Sequence, residues 1–268
     1  MPENFICTTC GVQYAATETE PAHCIICEDD RQYVNWQGQT WTTLAEMQRK
    51  YQNEIQLVEP GLYRIQTTPK FGIAQKAHLI ISPNGNILWD CVTLLNDETI
   101  NFIKKIGGIQ AVALSHPHYY STIVNWSRAF VNAPIYIHAL DQEWVTQPDQ
   151  SIQFWEGKSL ELNDGIKIIN CGGHFPGACV LHWPAGADNQ GVVLSGDTLQ
   201  VAMDRQSVSF MYSYPNLIPL RQVEILAIRK AMEDIRFARM YGAFEPHIGQ
   251  NARQAFDHSI NRYLQIYE

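Results

Sequence analysis

Two groups of residues in this 268-residue chain have the types and spacing that chemistry requires. The first lies near the start: Cys7-Thr8-Thr9-Cys10 and Cys24-Ile25-Ile26-Cys27, two CxxC pairs with 13 residues between them. Each pair puts two sulfurs on one knuckle, and four thiolates close a tetrahedron around zinc. A segment this short has too little apolar sequence to bury a core of its own, so a metal there would supply the missing folding free energy. The second group is dispersed: His116-Pro117-His118, His174 within Gly172-Gly173-His174-Phe175-Pro176-Gly177, Asp197 within Ser195-Gly196-Asp197, and His247 within Glu245-Pro246-His247. Each follows an apolar stretch that reads as a strand, which puts each on a loop at a sheet edge, where side chains converge. Alone, a histidine after a strand is usually a hydrogen-bonded structural residue. The ordered set is what carries information.

The elements that must position these residues are legible in outline. Thr43-Leu44-Ala45-Glu46 is a capping box opening a helix, with Leu44, Met47 and Tyr51 on one face. Short apolar stretches follow at 54–58 and 62–67, then at 77–81 and 87–90 around Ser82-Pro83-Asn84-Gly85-Asn86, a hairpin signal. Beyond Asp90 the pattern alternates: helix near 97–106, strand 110–114, helix near 122–130, strand 135–138. The second half repeats it, with strands near 166–170, 179–183 and 191–194 and helices near 219–235 and 250–267. This alternation predicts an α/β fold of two sheets with helices packed outside. The seven tryptophans read most economically as core. Phe210-Met211-Tyr212-Ser213-Tyr214-Pro215, apolar without strict period, reads as loop packing or as a wall or lid over the site.

Composition narrows the function. With 19 Lys+Arg against 27 Asp+Glu the formal net charge is −8, which offers no general attraction to nucleic acid or anionic lipid. Residues 1–35 are more acidic still: Arg31 stands alone against Glu3, Glu18, Glu20, Glu28, Asp29 and Asp30. That segment reads as a structural or protein-contacting module. No apolar run is long enough to cross a bilayer, and Met1-Pro2-Glu3-Asn4 lacks a signal-peptide start, so a cytoplasmic location is expected. Seven cysteines, an odd number without a secretion signal, point to metal over disulfides; Cys91, Cys171 and Cys179 read as small buried hydrophobes.

Taken in order, the dispersed set resembles the metallo-β-lactamase superfamily, whose metal site is built from HxHxDH, a downstream His, a bridging Asp and a final His. His116-Pro117-His118-Tyr119-Tyr120-Ser121 is similar to the first motif, Gly173-His174-Phe175-Pro176-Gly177 to the segment with the third ligand, Ser195-Gly196-Asp197 to the bridging Asp motif and Pro246-His247 to the last. Asp90 resembles the buried Asp that supports the metal loop. The resemblance covers about residues 55–268 and implies a four-layer αβ/βα sandwich. The organisation expected is a zinc-ribbon-like module at 1–35, a linker helix within 36–54 and a metallo-β-lactamase-like domain at 55–268.

The departure from the motif carries as much weight. Tyr120 and Ser121 stand where the family has Asp and His for a second metal, and neither is a good ligand at neutral pH. Asp197 and His247 alone remain of that second site, whereas His116, His118 and His174, with Asp197 or water, complete the first. One ion is therefore expected there, zinc by the resemblance, though iron or manganese suits the same donors. A metal-dependent hydrolase acting on a small-molecule ester, thioester or phosphodiester follows, with Asp197 orienting water, His247 touching substrate and Tyr120 either donating to an oxyanion or filling vacated space. A catalytically inactive scaffold that binds a partner is the alternative.

Overall fold

Side chains of a strand alternate between faces, and that alternation builds three apolar layers here. The computed structural model describes residues 1–267. One sheet has seven strands in the order Gln52–Glu59, Leu62–Thr68, Lys76–Ile80, Ile87–Trp89, Ala111–Ala113, Ile135–His138 and Ile152–Trp155. The first four run antiparallel, and from Ile87–Trp89 onward the pairs are parallel. Helices Asp97–Lys105 and Ile123–Ala129 make the first two crossovers, as parallel pairing requires. The second sheet has six strands: Ser159–Glu161, Lys167–Asn170, Cys179–Trp183, Val192–Leu194, Arg239–Tyr241 and His247–Ile248.

Ile87, Trp89, Ala111 and Ala113 of the first sheet meet Cys179, Leu181, Val192 and Leu194 of the second in a layer between the sheets. Their alternates point outward: Leu88 and Val112 join Ile103 and Trp126 of the first helices, while Val180 and Val193 join Ile225, Ile228, Phe256 and Ile260 of helices Gln222–Ala231 and Ala252–Leu264. Each such burial contributes roughly 1.5–3 kcal/mol. The result is the αβ/βα sandwich that the sequence predicts. Helix starts follow their caps: Thr43 Oγ1 accepts from Glu46 N at 3.3 Å and Asn96 Oδ1 from Thr99 N at 3.0 Å.

Some local features differ from expectation. Phe5–Cys7 pairs antiparallel with Trp41–Thr43, so the cysteine segment is tied to the stretch just before helix Leu44–Lys50. Three-residue strands carry too little period to be seen in sequence. The segment also lies against the sandwich: Gln13 N donates to Ser121 O at 3.0 Å, Thr146 Oγ1 to Gln13 O at 2.7 Å, and Thr93 Oγ1 to Gly11 O at 3.1 Å. Its four cysteines are buried in one apolar cluster with Val92, Leu95 and Tyr120. Trp36 corrects the reading of every tryptophan as core, being 89% exposed. It stands in a polar loop, Asn35 to Gln39, and the apolar residues just before it, Tyr33 and Val34, are themselves exposed. Among the described residues no helix is long and apolar enough to cross a membrane.

Candidate metal centre

His116 and His118 leave the sheet together on the turn after Ala111–Ala113, where Pro117 opens a short 3-10 helix, Pro117–Tyr119. Asp90 fixes this loop, its Oδ1 accepting from Ser115 N at 2.8 Å. Burial lifts the Asp90 carboxyl to about 7, against the Ser115 bond and the nearby His116 that favour its charge. His174 leaves Lys167–Asn170 through Gly172 and Gly173, both at positive φ (65° and 82°). At φ +82° an L-residue at 173 is strained, and its Cβ would also press on Leu220 Cδ1 at 2.8 Å, so glycine eases the approach. Asp197 follows Val192–Leu194 through Gly196.

These loops bring four donors together. His116 Nε2 lies 2.9 Å from Asp197 Oδ1, His174 Nε2 lies 3.3 Å from His118 Nδ1 and 3.9 Å from Asp197 Oδ1, and one ligand atom from each residue falls within 4.8 Å of the others. Nitrogens bound tetrahedrally to zinc at ~2.0–2.1 Å would lie about 3.3 Å apart, so the spacing is that of a coordination shell. His116 Nε2 and Asp197 Oδ1, though 2.9 Å apart, are not aligned for a hydrogen bond, and neither has any other partner while buried, a costly state for polar atoms unless something else binds there. Two of the outer nitrogens are held, His116 Nδ1 lying 3.1 Å from Ser115 Oγ and His174 Nδ1 donating to the Met211 carbonyl at 3.1 Å, which leaves His174 Nε2 free to coordinate, whereas His118 Nε2 is buried without a partner. Burial drives His174 down to about 4, keeping it neutral as a ligand must be. Burial opposes the charge on Asp197 too, yet His116, 2.9 Å away, holds its carboxyl well below the usual range. The donor set therefore fits a divalent ion.

The four cysteines form the other such group. Cys7 Sγ lies 3.5 Å from Cys27 Sγ and Cys10 Sγ lies 3.6 Å from Cys24 Sγ, all four buried and unbridged. Sulfurs at ~2.3 Å from one zinc would lie about 3.8 Å apart, while a disulfide needs ~2.05 Å. Gln39 Nε2 donates to Cys7 Sγ at 3.1 Å, an interaction that favours the thiolate.

No family model matches the chain. It is 50% identical over 262 residues to Uncharacterized protein YmaE of Bacillus subtilis (strain 168), an alignment covering 97% of this chain and 95% of that one. The chain belongs to the YmaE family. Its structure is similar to that of the metallo-β-lactamase DIM-1 exposed to ceftazidime (TM-score 0.57, 12% identity, 79% of this chain and 98% of that one). It is also similar to the metallo-β-lactamase FIM-1 from Pseudomonas aeruginosa in its mono-zinc form (0.54, 13%, 73% and 88%) and to TTHA1623 in a di-iron-bound form (0.50, 21%, 67% and 93%). This YmaE-family protein thus has the metallo-β-lactamase fold, as its motifs predict.

The remaining expected residues are placed differently in this YmaE-family chain. His247 stands on the edge strand of the second sheet, half-buried, its ring stacked on Tyr241 at 5.3 Å and outside the four-donor group. Tyr120 is buried, but its hydroxyl donates to the Asp141 carbonyl at 3.4 Å. Its neighbour Tyr119 is the one beside the site: its ring lies 4.6 Å from that of His116, and its buried hydroxyl has no hydrogen-bond partner. Phe175 packs against all three imidazoles, with ring centroids 5.0–5.4 Å away. Tyr214 donates to the Asp197 carbonyl at 2.8 Å, placing the aromatic segment 210–215 against the site. Neither Tyr119 nor Phe175 is singled out by spacing. The only sequence signal for either is adjacency to a ligand.

Proposed function

We propose that this protein is a metal-dependent hydrolase that works with one ion, zinc, at His116, His118, His174 and Asp197, and carries a second, structural zinc at Cys7, Cys10, Cys24 and Cys27. The observation that carries this reading is the convergence of four donors from three loops on one point, two of them buried with no other partner. An ion held there supplies Lewis acidity toward a carbonyl or phosphoryl oxygen and toward water. The chain does the rest. Asp197, kept ionised by its histidine neighbours, orients water or accepts its proton. Tyr119, whose burial raises its phenol so that it stays protonated, is the donor for a developing oxyanion, the role first considered for Tyr120. Tyr214 pins the loop of Asp197 by donating to its carbonyl. The substrate in this reading is a small ester, thioester or phosphodiester.

One observation favours the inactive scaffold as a second reading. All four donors are buried, and four protein ligands with no open position are the pattern of structural zinc. In the hydrolase reading Asp197 would yield one position to water, leaving the three histidines to hold the ion. Metal-loaded and chelated protein assayed on ester, thioester and phosphodiester reporters decide the matter. Turnover lost on chelation, restored by metal and absent in Asp197→Ala supports the hydrolase; a bound metal with no turnover on any of the three supports the scaffold.

A further inference from the structure

Just beyond Cys27 the chain turns through Asp29, Asp30, Arg31 and Gln32, and this turn reaches the histidine centre. The Arg31 side chain is only 11% exposed. Its Nε and Nη2 donate to the Asp29 carboxylate at 2.5 and 2.8 Å, and its own backbone N donates to Asp29 Oδ1 at 2.9 Å, so the guanidinium is held in one orientation. Asn216 Nδ2 grips both sides of the turn, donating to the carbonyls of Asp30 (2.9 Å) and Gln32 (3.1 Å). Thus fixed, the guanidinium lies over the Phe175 ring with Cζ 3.9 Å from its centroid, and Nη1 points to the His174 carbonyl at 3.5 Å. Phe175 in turn touches the rings of His116, His118 and His174. The peptide chain from Cys27 to Arg31, and from there the contacts of Arg31 and Phe175, therefore join the cysteine group to the three imidazoles.

We propose that Arg31 is a positioning residue for the histidine centre, and that through it the metal bound by the four cysteines raises the metal affinity of the histidines. The proposal rests on the reading of both groups as metal sites. A cation over an aromatic face is attracted to it, so Arg31 clamps Phe175, and Phe175 is the peptide neighbour of His174 as well as the packing surface for all three rings. The orientation of a ligand ring governs how well it binds metal, and loss of such outer support weakens affinity by roughly 10- to 100-fold. Without its metal the cysteine segment lacks the core to hold its shape, and the turn carrying Arg31 loses its upstream anchor. Linkage makes the effect mutual: metal at the histidines strengthens metal at the cysteines by the same factor.

Cobalt(II) titration of the full chain tests this without any catalytic assay. Four-thiolate cobalt gives an intense sulfur-to-metal charge-transfer absorption that imidazole and carboxylate ligands do not, so the two sites are read separately. Arg31→Ala is expected to weaken cobalt at the histidines by about tenfold and to alter its d–d absorption. Arg31→Lys, which keeps a cation over the ring, is expected to recover part of the loss. Cys24→Ser is expected to weaken the same site to a similar degree, with Arg31→Ala adding little in the double variant because both act through one contact. Unfolding midpoints of the two Arg31 variants, measured alongside, separate this from general destabilisation. Unchanged affinity in Arg31→Ala overturns the proposal, as do independent, additive losses in the double variant. Wild-type protein that binds no cobalt at the histidines overturns the metal reading itself, and this proposal with it.

Discussion

Gly196 sits where the loop of Asp197 crosses the loop of His116, and replacing it by alanine tests whether that crossing sets the site. Its φ is +56°, a conformation that costs an L-residue roughly 1–2 kcal/mol. The added Cβ would stand 2.7 Å from Ser115 Oγ, 3.0 Å from Ser115 Cβ and 3.3 Å from Tyr119 Cε2. Ser115 cannot swing away cheaply, because its backbone N is held by Asp90 and its hydroxyl lies against His116 Nδ1. Forcing a methyl into such packing costs about 1–3 kcal/mol, so Gly196→Ala is expected to lose about 2–5 kcal/mol. Gly172→Ala is the control: it shares the positive φ (+65°), but its nearest contact is 3.9 Å away, so only the conformational part, ~1–2 kcal/mol, is expected. Denaturant unfolding with zinc present and with chelator present reads both variants. Because the wedge drives Asp197 away from His116, the Gly196 variant is expected to lose more stability with zinc than without it. Equal losses for the two variants, or a zinc affinity untouched in Gly196→Ala, would refute the reasoning.

Other outcomes follow from the same geometry. His116→Ala or His174→Ala should abolish metal at the histidine site, whereas Tyr120→Phe should keep it, since that hydroxyl meets only the Asp141 carbonyl; elemental analysis of the three variants checks this. Cys7→Ser should lose one zinc and sharply raise proteolysis within residues 1–35, and an uncleaved segment with full metal content would argue against a structural ion there. Burial lowers His78 from its ordinary 6.5 to about 3, so it binds its proton in the unfolded chain first. Its contribution is then complete above pH 6.5 and declines by about 1.4 kcal/mol per unit as pH falls from there toward 3. Stability of His78→Leu against pH should show a slope shallower by one proton over that window, and an unchanged slope would remove His78 as the cause. Thr43→Ala should cost about 1 kcal/mol through loss of the hydroxyl that accepts from Glu46 N, measured by the same unfolding.

How much of this was legible in the sequence depends on range. His116, His118, His174 and Asp197 could be found because each follows a strand, and a strand end fixes where its loop emerges. The sandwich could be found because the apolar runs at 87–90, 110–114 and 191–194 recur in order with helical stretches around them, and the histidine and aspartate motifs follow them. Arg31 could not: it meets the His174 loop across 143 residues of chain, and nothing near it in sequence marks a partner. The pairing of Phe5–Cys7 with Trp41–Thr43 was hidden for the opposite reason, its strands being too short to show a period. His247 shows the limit of reading a motif by order, for its Pro-His pair is present while its ring rests on Tyr241.

The most direct test of the central claim is metal stoichiometry by elemental analysis on protein purified without added metal, for the wild type, His116→Ala and Cys24→Ser. The expected result is two ions per chain in the wild type and one in each variant, with the remaining ion at the untouched site. Three ions in the wild type would contradict the single-ion histidine centre, and a His116→Ala protein that still holds two would show that the converging donors are not a metal site.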